Sequence, residues 1–257
     1  MIQGAFFAYI RRKGRCLMRG FPGFCVSMIL LFTALMVSSR TAIQMCSIDV
    51  NAQINAREVP LAALTFDDGP DSEKTEALLD LLKEKGVKAT FFVIGAQVEE
   101  NADLIKRMNL EGHQIGIHTY KHVDLSCLDE SEQREEIRKT EEVIEKIVDE
   151  HNLMLRPPFG QINTVLENWI DRPMILWSVD TEDWTDIAST DIIIQTVENV
   201  RDGDIILMHD ISENGLEAAA GIIDELHRMG YTFLTIEELF LCKEIELENG
   251  RTYRYAR

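Results

Sequence analysis

The sequence has few cysteines, and none of them is spaced to hold a metal. Only Cys127 and Cys242, of five cysteines, lie beyond residue 60, and no CxxC pair occurs. A zinc–thiolate site and a disulfide framework are therefore not indicated, although one bridge between these two residues stays open. Internal repeats and low-complexity segments are also absent, and the apolar content of 46% is that of a folded protein.

The first 48 residues lack acidic side chains altogether, whereas the rest of the chain is strongly acidic. The N-terminal region carries six cations, and removing them from the net charge of −18 leaves about −24 for the remainder. A domain this poor in basic charge is a weak candidate for binding nucleic-acid phosphates. We therefore expect no nucleic-acid partner.

An apolar run follows the basic residues, from 24 to 37, and reaches 17 residues when it is counted from Phe21. This pattern predicts a secretory signal, or an uncleaved membrane anchor because no clear small-x-small cleavage site follows. The basic flank places the N-terminus in the cytoplasm and the domain outside the cell. We assign 1–40 to this segment and 41–60 to a linker, and expect a secreted or membrane-anchored bacterial protein.

Apolar β-rich runs alternate with helical periodicity from residue 61 onward. Seven strands are predicted, at 61–66, 89–94, 114–118, 152–155, 174–179, 204–208 and 231–234. Six helices are predicted between them, at 72–85, 97–110, 131–150, 163–169, 191–200 and 215–229. Ser72 is the expected N-cap of the first helix, and the acidic third helix is expected to be a solvated outer face. This alternation indicates an α/β fold with a parallel sheet or barrel.

Five polar clusters each follow a predicted strand, where α/β folds build their active sites. They are TFDDGP at 65–70, HTYKH at 118–122, RPPFG at 156–160, DTEDW at 180–184 and LMH at 207–209. By contrast, Trp177 is expected to be a core residue, and His113, His151 and His227 to face solvent. The clusters together favour a metal-assisted hydrolase.

His118 and His122 are four residues apart, so one helical turn would direct both imidazoles to the same side. The adjacent carboxylates Asp67 and Asp68 repel each other, and a bound cation would relieve that repulsion. Two imidazoles and one carboxylate suit Zn²⁺, and also Fe²⁺, Co²⁺ or Mn²⁺. Either aspartate could be the ligand, and the other could then accept a proton from a metal-bound water. A two-histidine, one-carboxylate iron oxygenase is a competing interpretation, although its usual His-x-Asp pairing is missing.

The five clusters resemble the five motifs of the NodB-homology polysaccharide deacetylases, the fourth family of carbohydrate esterases. The resemblance extends from about Leu61 to Leu241. It implies a distorted (β/α) barrel of about seven parallel strands. It also implies the removal of acetyl groups from N-acetylglucosamine polymers or acetylated xylan.

The resemblance also implies a role for each site residue. Asp68, His118 and His122 would hold one divalent ion, with Zn²⁺ expected, and Asp67 would be the general base. Arg156 would orient Asp67. His209 would be the general acid, and Asp183 would tune it. Trp184 and Leu207 would line the groove. Phe159 stands where relatives often have a hydroxylated aromatic, and its backbone N–H would help bind the oxyanion.

We therefore predict an exported deacetylase of a cell-wall polysaccharide, with peptidoglycan favoured over chitin oligomers, acting as a monomer. The catalytic domain is assigned to 61–245 and a C-terminal tail to 246–257. An acetylxylan O-deacetylase with the same site is one alternative. A non-catalytic carbohydrate-binding member of the fold is another, and it should have lost a ligand, the base or the acid.

Overall fold

The computed structural model describes residues 59–151 and 153–257. The predicted signal or anchor and almost all of the predicted linker lie outside these residues. Within the described part of the chain, no helix is long and apolar enough to span a membrane.

The fold is α/β and is built around a six-stranded parallel sheet with the order β3-β2-β1-β6-β5, with β7 paired to β1. Its strands are β1 (Leu61–Asp67), β2 (Thr90–Val93), β3 (Gln114–Ile117), β5 (Val179–Asp180), β6 (Asp204–His209) and β7 (Thr232–Phe233). A second pair joins β4 (Met174–Ile175) to β8 (Thr252–Tyr253). Isolated bridges connect Leu155 to Ile117 on one side and to Met174 on the other. The predicted α/β class with a parallel sheet is confirmed.

Eight α-helices lie between or after these strands in the described residues, together with two 3₁₀ helices, Leu125–Cys127 and Pro158–Gly160. They are α1 (Lys74–Lys85), α2 (Gly95–Val98), α3 (Ala102–Leu110), α4 (Glu130–Glu145), α5 (Thr164–Trp169), α6 (Ser189–Asn199), α7 (Gly215–Arg228) and α8 (Ile236–Cys242). Local sequence explains several ends. Asp129 and Glu132 form a capping box at the start of α4, and Gly86 ends α1 with a left-handed φ of 66°.

The two faces of the central strands have different surroundings. On β1, the even-numbered Ala62, Leu64 and Phe66 join the core beneath the outer helices, whereas Leu61 and Ala63 join a second core with Ile205 of β6. Because side chains alternate along a strand, Asp67 shares the face of Leu61 and Ala63. This inner face therefore changes from apolar to polar toward the carboxyl ends of the strands.

Several boundaries differ from the sequence predictions for physical reasons. The N-cap prediction for Ser72 is wrong, because the Asp71 carboxylate accepts the backbone N–H groups of Glu73 and Lys74 instead. The predicted helix 97–110 is two helices, and the predicted strand 174–179 is two short strands, β4 and β5. Of the predicted strand 152–155, only Leu155 forms a bridge, and residue 152 lies outside the described residues.

The C-terminal segment closes the inner core at the end opposite the polar edge. Helix α8, for which the sequence analysis gives no element, contributes Leu239 and Phe240 to the second core. Residues 246–257, expected as a tail, supply β8 and bury Tyr253 and Ala256 against the same core. Cys127 and Cys242 are both free thiols.

Candidate active site

Asp68, His118 and His122 converge at the carboxyl end of β1 and β3. Their nearest ligand atoms lie within 4.8 Å of one another. Asp68 Oδ1 is 3.4 Å from His118 Nε2 and 3.2 Å from His122 Nε2. This oxygen is buried and has no hydrogen-bond partner in the described part of the chain. A buried carboxylate oxygen facing two imidazole nitrogens fits a divalent cation, which would satisfy all three atoms.

Charge and burial favour the protonation states that a metal requires. Burial alone would raise the pKa of Asp68, but the facing His118 imidazole and the charges of His122 and His209 lower it below the usual value. Burial lowers the pKa of His122, and the nearby charge of His118 lowers it further. A deprotonated carboxylate and a neutral imidazole are the ligating forms.

The two histidines are held differently from the prediction. His118 follows β3, and its Nδ1–H donates to the backbone carbonyl of Arg156 at 2.7 Å, which leaves Nε2 free as a ligand. The expected helical turn is wrong: residues 118–122 form a loop in which Thr119 and His122 have positive φ values of 64° and 53°. The sequence spacing is the same, but loop geometry brings the two rings to 5.0 Å between centroids.

Asp67 is buried beside the three candidate metal ligands. The side chain of Arg156, which is fully buried, holds it in place. Arg156 Nη1 donates to Asp67 Oδ1 at 2.7 Å and to Thr65 Oγ1 at 2.8 Å. The guanidinium also lies 4.1 Å from the Phe92 ring centroid. The other carboxylate oxygen, Asp67 Oδ2, is 3.7 Å from His118 Nε2. One oxygen of Asp67 is therefore held in place while the other faces the candidate metal site.

His209 ends β6 in register with Asp67 on β1. The carboxylate of Asp183 accepts two hydrogen bonds from His209, one from Nδ1–H at 2.8 Å and one from the backbone N–H at 2.9 Å. Burial alone would lower the pKa of His209, but the hydrogen bond and charge of Asp183, with the charges of Asp67 and Asp68, raise it to about 9. The imidazolium is thus the main form near neutral pH.

The predicted groove residues differ in exposure. Phe159 and Trp184 are large hydrophobic residues left 61% and 67% exposed. The Phe159 ring meets the His122 ring edge-on at 4.8 Å, so it lies directly beside the candidate metal site. Leu207 is buried, on the inner face of β6 that also carries His209. Trp177, expected in the core, is only half-buried and packs against the edge of the second core.

Three residues around the site were not identified from the sequence. Thr65 accepts a hydrogen bond from Arg156, and Glu136 of α4 accepts the backbone N–H groups of Tyr120 and Lys121. Asp210 is buried, accepts a hydrogen bond from Thr75, and its pKa is raised to about 7 by burial and by the charges of Asp68 and Asp67. Thr65 opens the first polar cluster and Asp210 follows His209 directly at a strand end, so these two have a sequence signal, whereas Glu136 has none.

The expectation for the remaining histidines holds for two of three. His151 and His227 are exposed. His113 is buried instead, and its Nδ1 accepts the backbone N–H of Ala89 at 3.1 Å. Burial lowers the pKa of His113 to about 4, so it is a neutral structural residue.

Comparison of the sequence with known protein families and proteins gives consistent matches. Residues 55–171 match the polysaccharide deacetylase family. The chain is 38% identical over 208 residues to the peptidoglycan-N-acetylglucosamine deacetylase PgdA of Listeria monocytogenes, covering 79% of this chain but only 44% of that relative. A peptidoglycan-N-acetylglucosamine deacetylase of Bacillus cereus is 37% identical over 198 residues, covering 72% of this chain and 92% of the relative.

A solved structure supports the same relationship. The family 4 acetyl xylan esterase from Clostridium thermocellum, in complex with a cobalt ion, has a TM-score of 0.73 and 34% identity to this chain. The similarity covers 76% of this chain and 98% of the esterase chain. The sequence similarity to the Bacillus cereus relative and the structural similarity to the esterase lead to one conclusion: this chain belongs to the polysaccharide deacetylase family.

Proposed function

We propose that this protein is a metal-dependent hydrolase that removes N-acetyl groups from N-acetylglucosamine residues of a cell-wall polysaccharide, with peptidoglycan as the favoured substrate. One observation carries this proposal most directly. The buried, unpartnered Asp68 Oδ1 faces two imidazole nitrogens, beside a second carboxylate, Asp67, that an arginine holds in place. This arrangement can hold a cation and still leave a base free.

In this proposal Asp68, His118 and His122 hold the cation, with Zn²⁺ favoured and Co²⁺, Mn²⁺ or Fe²⁺ as alternatives. When bound, the cation would polarise the amide carbonyl and lower the pKa of a water molecule. Asp67 accepts the proton of the attacking water through Oδ2, because Oδ1 is bonded to Arg156. The same charge-assisted hydrogen bond from Arg156 holds the Asp67 carboxylate in place beside the candidate metal site.

His209 is the proposed general acid. Amide hydrolysis releases an amine, which is a poor leaving group until it is protonated. His209 enters this step as an imidazolium because Asp183, with the charges of Asp67 and Asp68, raises its pKa to about 9. Its Nδ1–H is bonded to Asp183, so Nε2–H is the proton available to the leaving nitrogen.

The substrate proposal rests on the site and on the relatives. Phe159 offers an exposed aromatic ring beside His122, and Trp184, also exposed, directly follows Asp183 in the chain; exposed aromatic rings suit the apolar face of a sugar. Two similar proteins bear the name of a peptidoglycan-N-acetylglucosamine deacetylase, and a similar structure is an acetyl xylan esterase. We further propose that the sheet, the Leu155 bridges and the β4–β8 pair form the distorted barrel expected for the family.

The proposed location follows from the N-terminal sequence. Basic residues before an apolar run favour export, so the domain would act outside the cell, secreted or held at the membrane. This location gives access to the wall polymer.

Acetate release tests the function. The purified chain is incubated with peptidoglycan, chitooligosaccharides and acetylxylan, and acetate is measured for each against a His209→Ala control. We expect acetate from N-acetylglucosamine polymers at the highest rate. Release from acetylxylan alone would identify an O-deacetylase with the same site. Binding of these polymers without acetate release would show a non-catalytic member of the fold.

A further inference from the structure

The loop between the two candidate histidine ligands is conformationally demanding. Thr119 and His122 both adopt positive φ values, which non-glycine residues rarely do. Such residues are strained and persist only where neighbouring contacts hold them. The position of the His122 ring therefore depends on whatever fixes this loop.

Two elements hold the loop through hydrogen bonds to its backbone. The carbonyl groups of Thr119 and Tyr120 accept the backbone N–H groups of Gly95 and Ala96 of α2 at 3.0 and 2.9 Å. The N–H groups of Tyr120 and Lys121 both donate to one oxygen of Glu136 of α4, at 2.9 and 2.8 Å. Hydrogen bonds to a charged acceptor are stronger than those between neutral groups.

Glu136 differs from the acidic residue beside it on α4. Glu135 forms salt bridges with Arg138 and Lys139, as expected on a solvated helix face. Glu136 pairs with no lysine or arginine within residues 59–151 and 153–257. Its carboxylate is directed to the backbone of the loop, two and one residues before His122.

We propose that Glu136 is a positioning residue for the metal site, because it fixes the backbone that directs His122 Nε2 toward Asp68 Oδ1. The proposal rests on the proposed function, since it assumes that these atoms hold a cation. Partners that orient metal ligands typically change metal affinity by 10–100-fold when they are removed. The acidic helix α4 is then more than the solvated face that its composition indicates.

Co²⁺ binding measured by calorimetry on the metal-free full-length chain tests this proposal. Glu136→Ala should weaken Co²⁺ binding by about 10–100-fold. Glu136→Gln should stay within about threefold of the wild type, because its amide oxygen can still accept both N–H groups. Glu135→Ala is the matched control on the same helix and should bind as the wild type does. Glu136→Asp, which keeps the charge but is one methylene too short, should weaken binding as Glu136→Ala does.

The outcomes separate this role from a structural one and from the proposed function. Thermal unfolding of the metal-free variants reports stability alone, and a purely structural role would lower it without changing the Co²⁺ affinity of the folded protein. If the Glu136→Ala and Glu136→Asp variants bind Co²⁺ as tightly as Glu135→Ala, the positioning role is overturned while the metal site stands. A wild-type chain that binds no Co²⁺ would overturn the metal site, and this proposal with it.

Discussion

Replacing Asp183 with asparagine should change the pH dependence of catalysis in a way that only its pairing with His209 explains. The Asp183 side chain is fully buried and receives two hydrogen bonds from His209. With this carboxylate present, the pKa of His209 is about 9. Asparagine keeps the shape and one acceptor but removes the charge, so the imidazolium loses its main stabilising partner.

The magnitude follows from the position of this pKa relative to its usual value of 6.5. A rise from 6.5 to about 9 corresponds to roughly 3 kcal/mol at 1.36 kcal/mol per pKa unit. Without Asp183, burial lowers the pKa of His209, and a cation at Asp68 would offset the raising effect of Asp67 and Asp68. We therefore expect a pKa of 6.5 or below in Asp183→Asn.

The assay is the pH profile of kcat/KM for deacetylation of an N-acetylated oligosaccharide. At pH 8 the protonated fraction of His209 would fall from about nine-tenths to about 3% or less, so the rate should fall at least about thirtyfold. At pH 6 the loss should be much smaller, and less than about twofold for a pKa of 6.5, because most of the imidazole is then protonated in both proteins. An alkaline limb that stays in place in Asp183→Asn would refute the reasoning. Asp186→Asn, which removes an exposed charge from the same loop, should leave the limb unchanged.

The same pKa predicts a change in stability. Because folding raises the pKa of His209, its contribution to stability is complete below pH 6.5 and is lost as the pH rises through about 9. The difference in the free energy of unfolding between wild type and Asp183→Asn should therefore be largest below pH 6.5, shrink as the pH rises from 6.5 to about 9, and be smallest above pH 9. Chemical denaturation across this pH range measures it.

Four further results are expected. Asp67→Asn should keep the bound metal and lower kcat by about 10²–10⁴, whereas Asp68→Asn should weaken metal binding and be partly rescued by excess metal; the opposite pattern would reverse the two roles. Arg156→Met should lower the free energy of unfolding by about 3–5 kcal/mol, because it leaves Asp67 buried and unpaired, and an unchanged denaturation midpoint would contradict this. Crystals soaked with Zn²⁺ should show an anomalous peak about 2.0–2.2 Å from Asp68, and a peak elsewhere would show that the metal binds at a different site. A reporter fused after Arg257 should be found outside the cytoplasm, and activity confined to the cytoplasm would rule out a targeting segment.

The order of strands and polar clusters made most of the site predictable. Asp67, His118, Arg156, Asp183 and His209 lie where their clusters were expected, because the carboxyl ends of neighbouring parallel strands meet at one edge of a sheet. This argument needs only the period of the strands and the positions at which they end. The packing of the side chains around these residues is not needed to find them.

Contacts between distant segments were not predictable in this way. The HxxxH spacing fits a helical turn and a loop equally well, and only the surroundings of Thr119 and His122 decide between them. Glu136 is one of many acids on α4, and its contact with the loop is set by how that helix packs. His113 resembles a surface histidine in sequence, yet packing of the sheet buries it.

The most direct test of the central claim is the dependence of deacetylation on metal bound at Asp68, His118 and His122. Zn²⁺ is titrated into the metal-free protein, and acetate released from an N-acetylglucosamine oligomer is measured at each step. We predict no release without metal, a linear recovery that ends at one equivalent per chain, and no recovery in His118→Ala. Acetate release at the full rate by the metal-free protein, with a chelator present, would contradict the account.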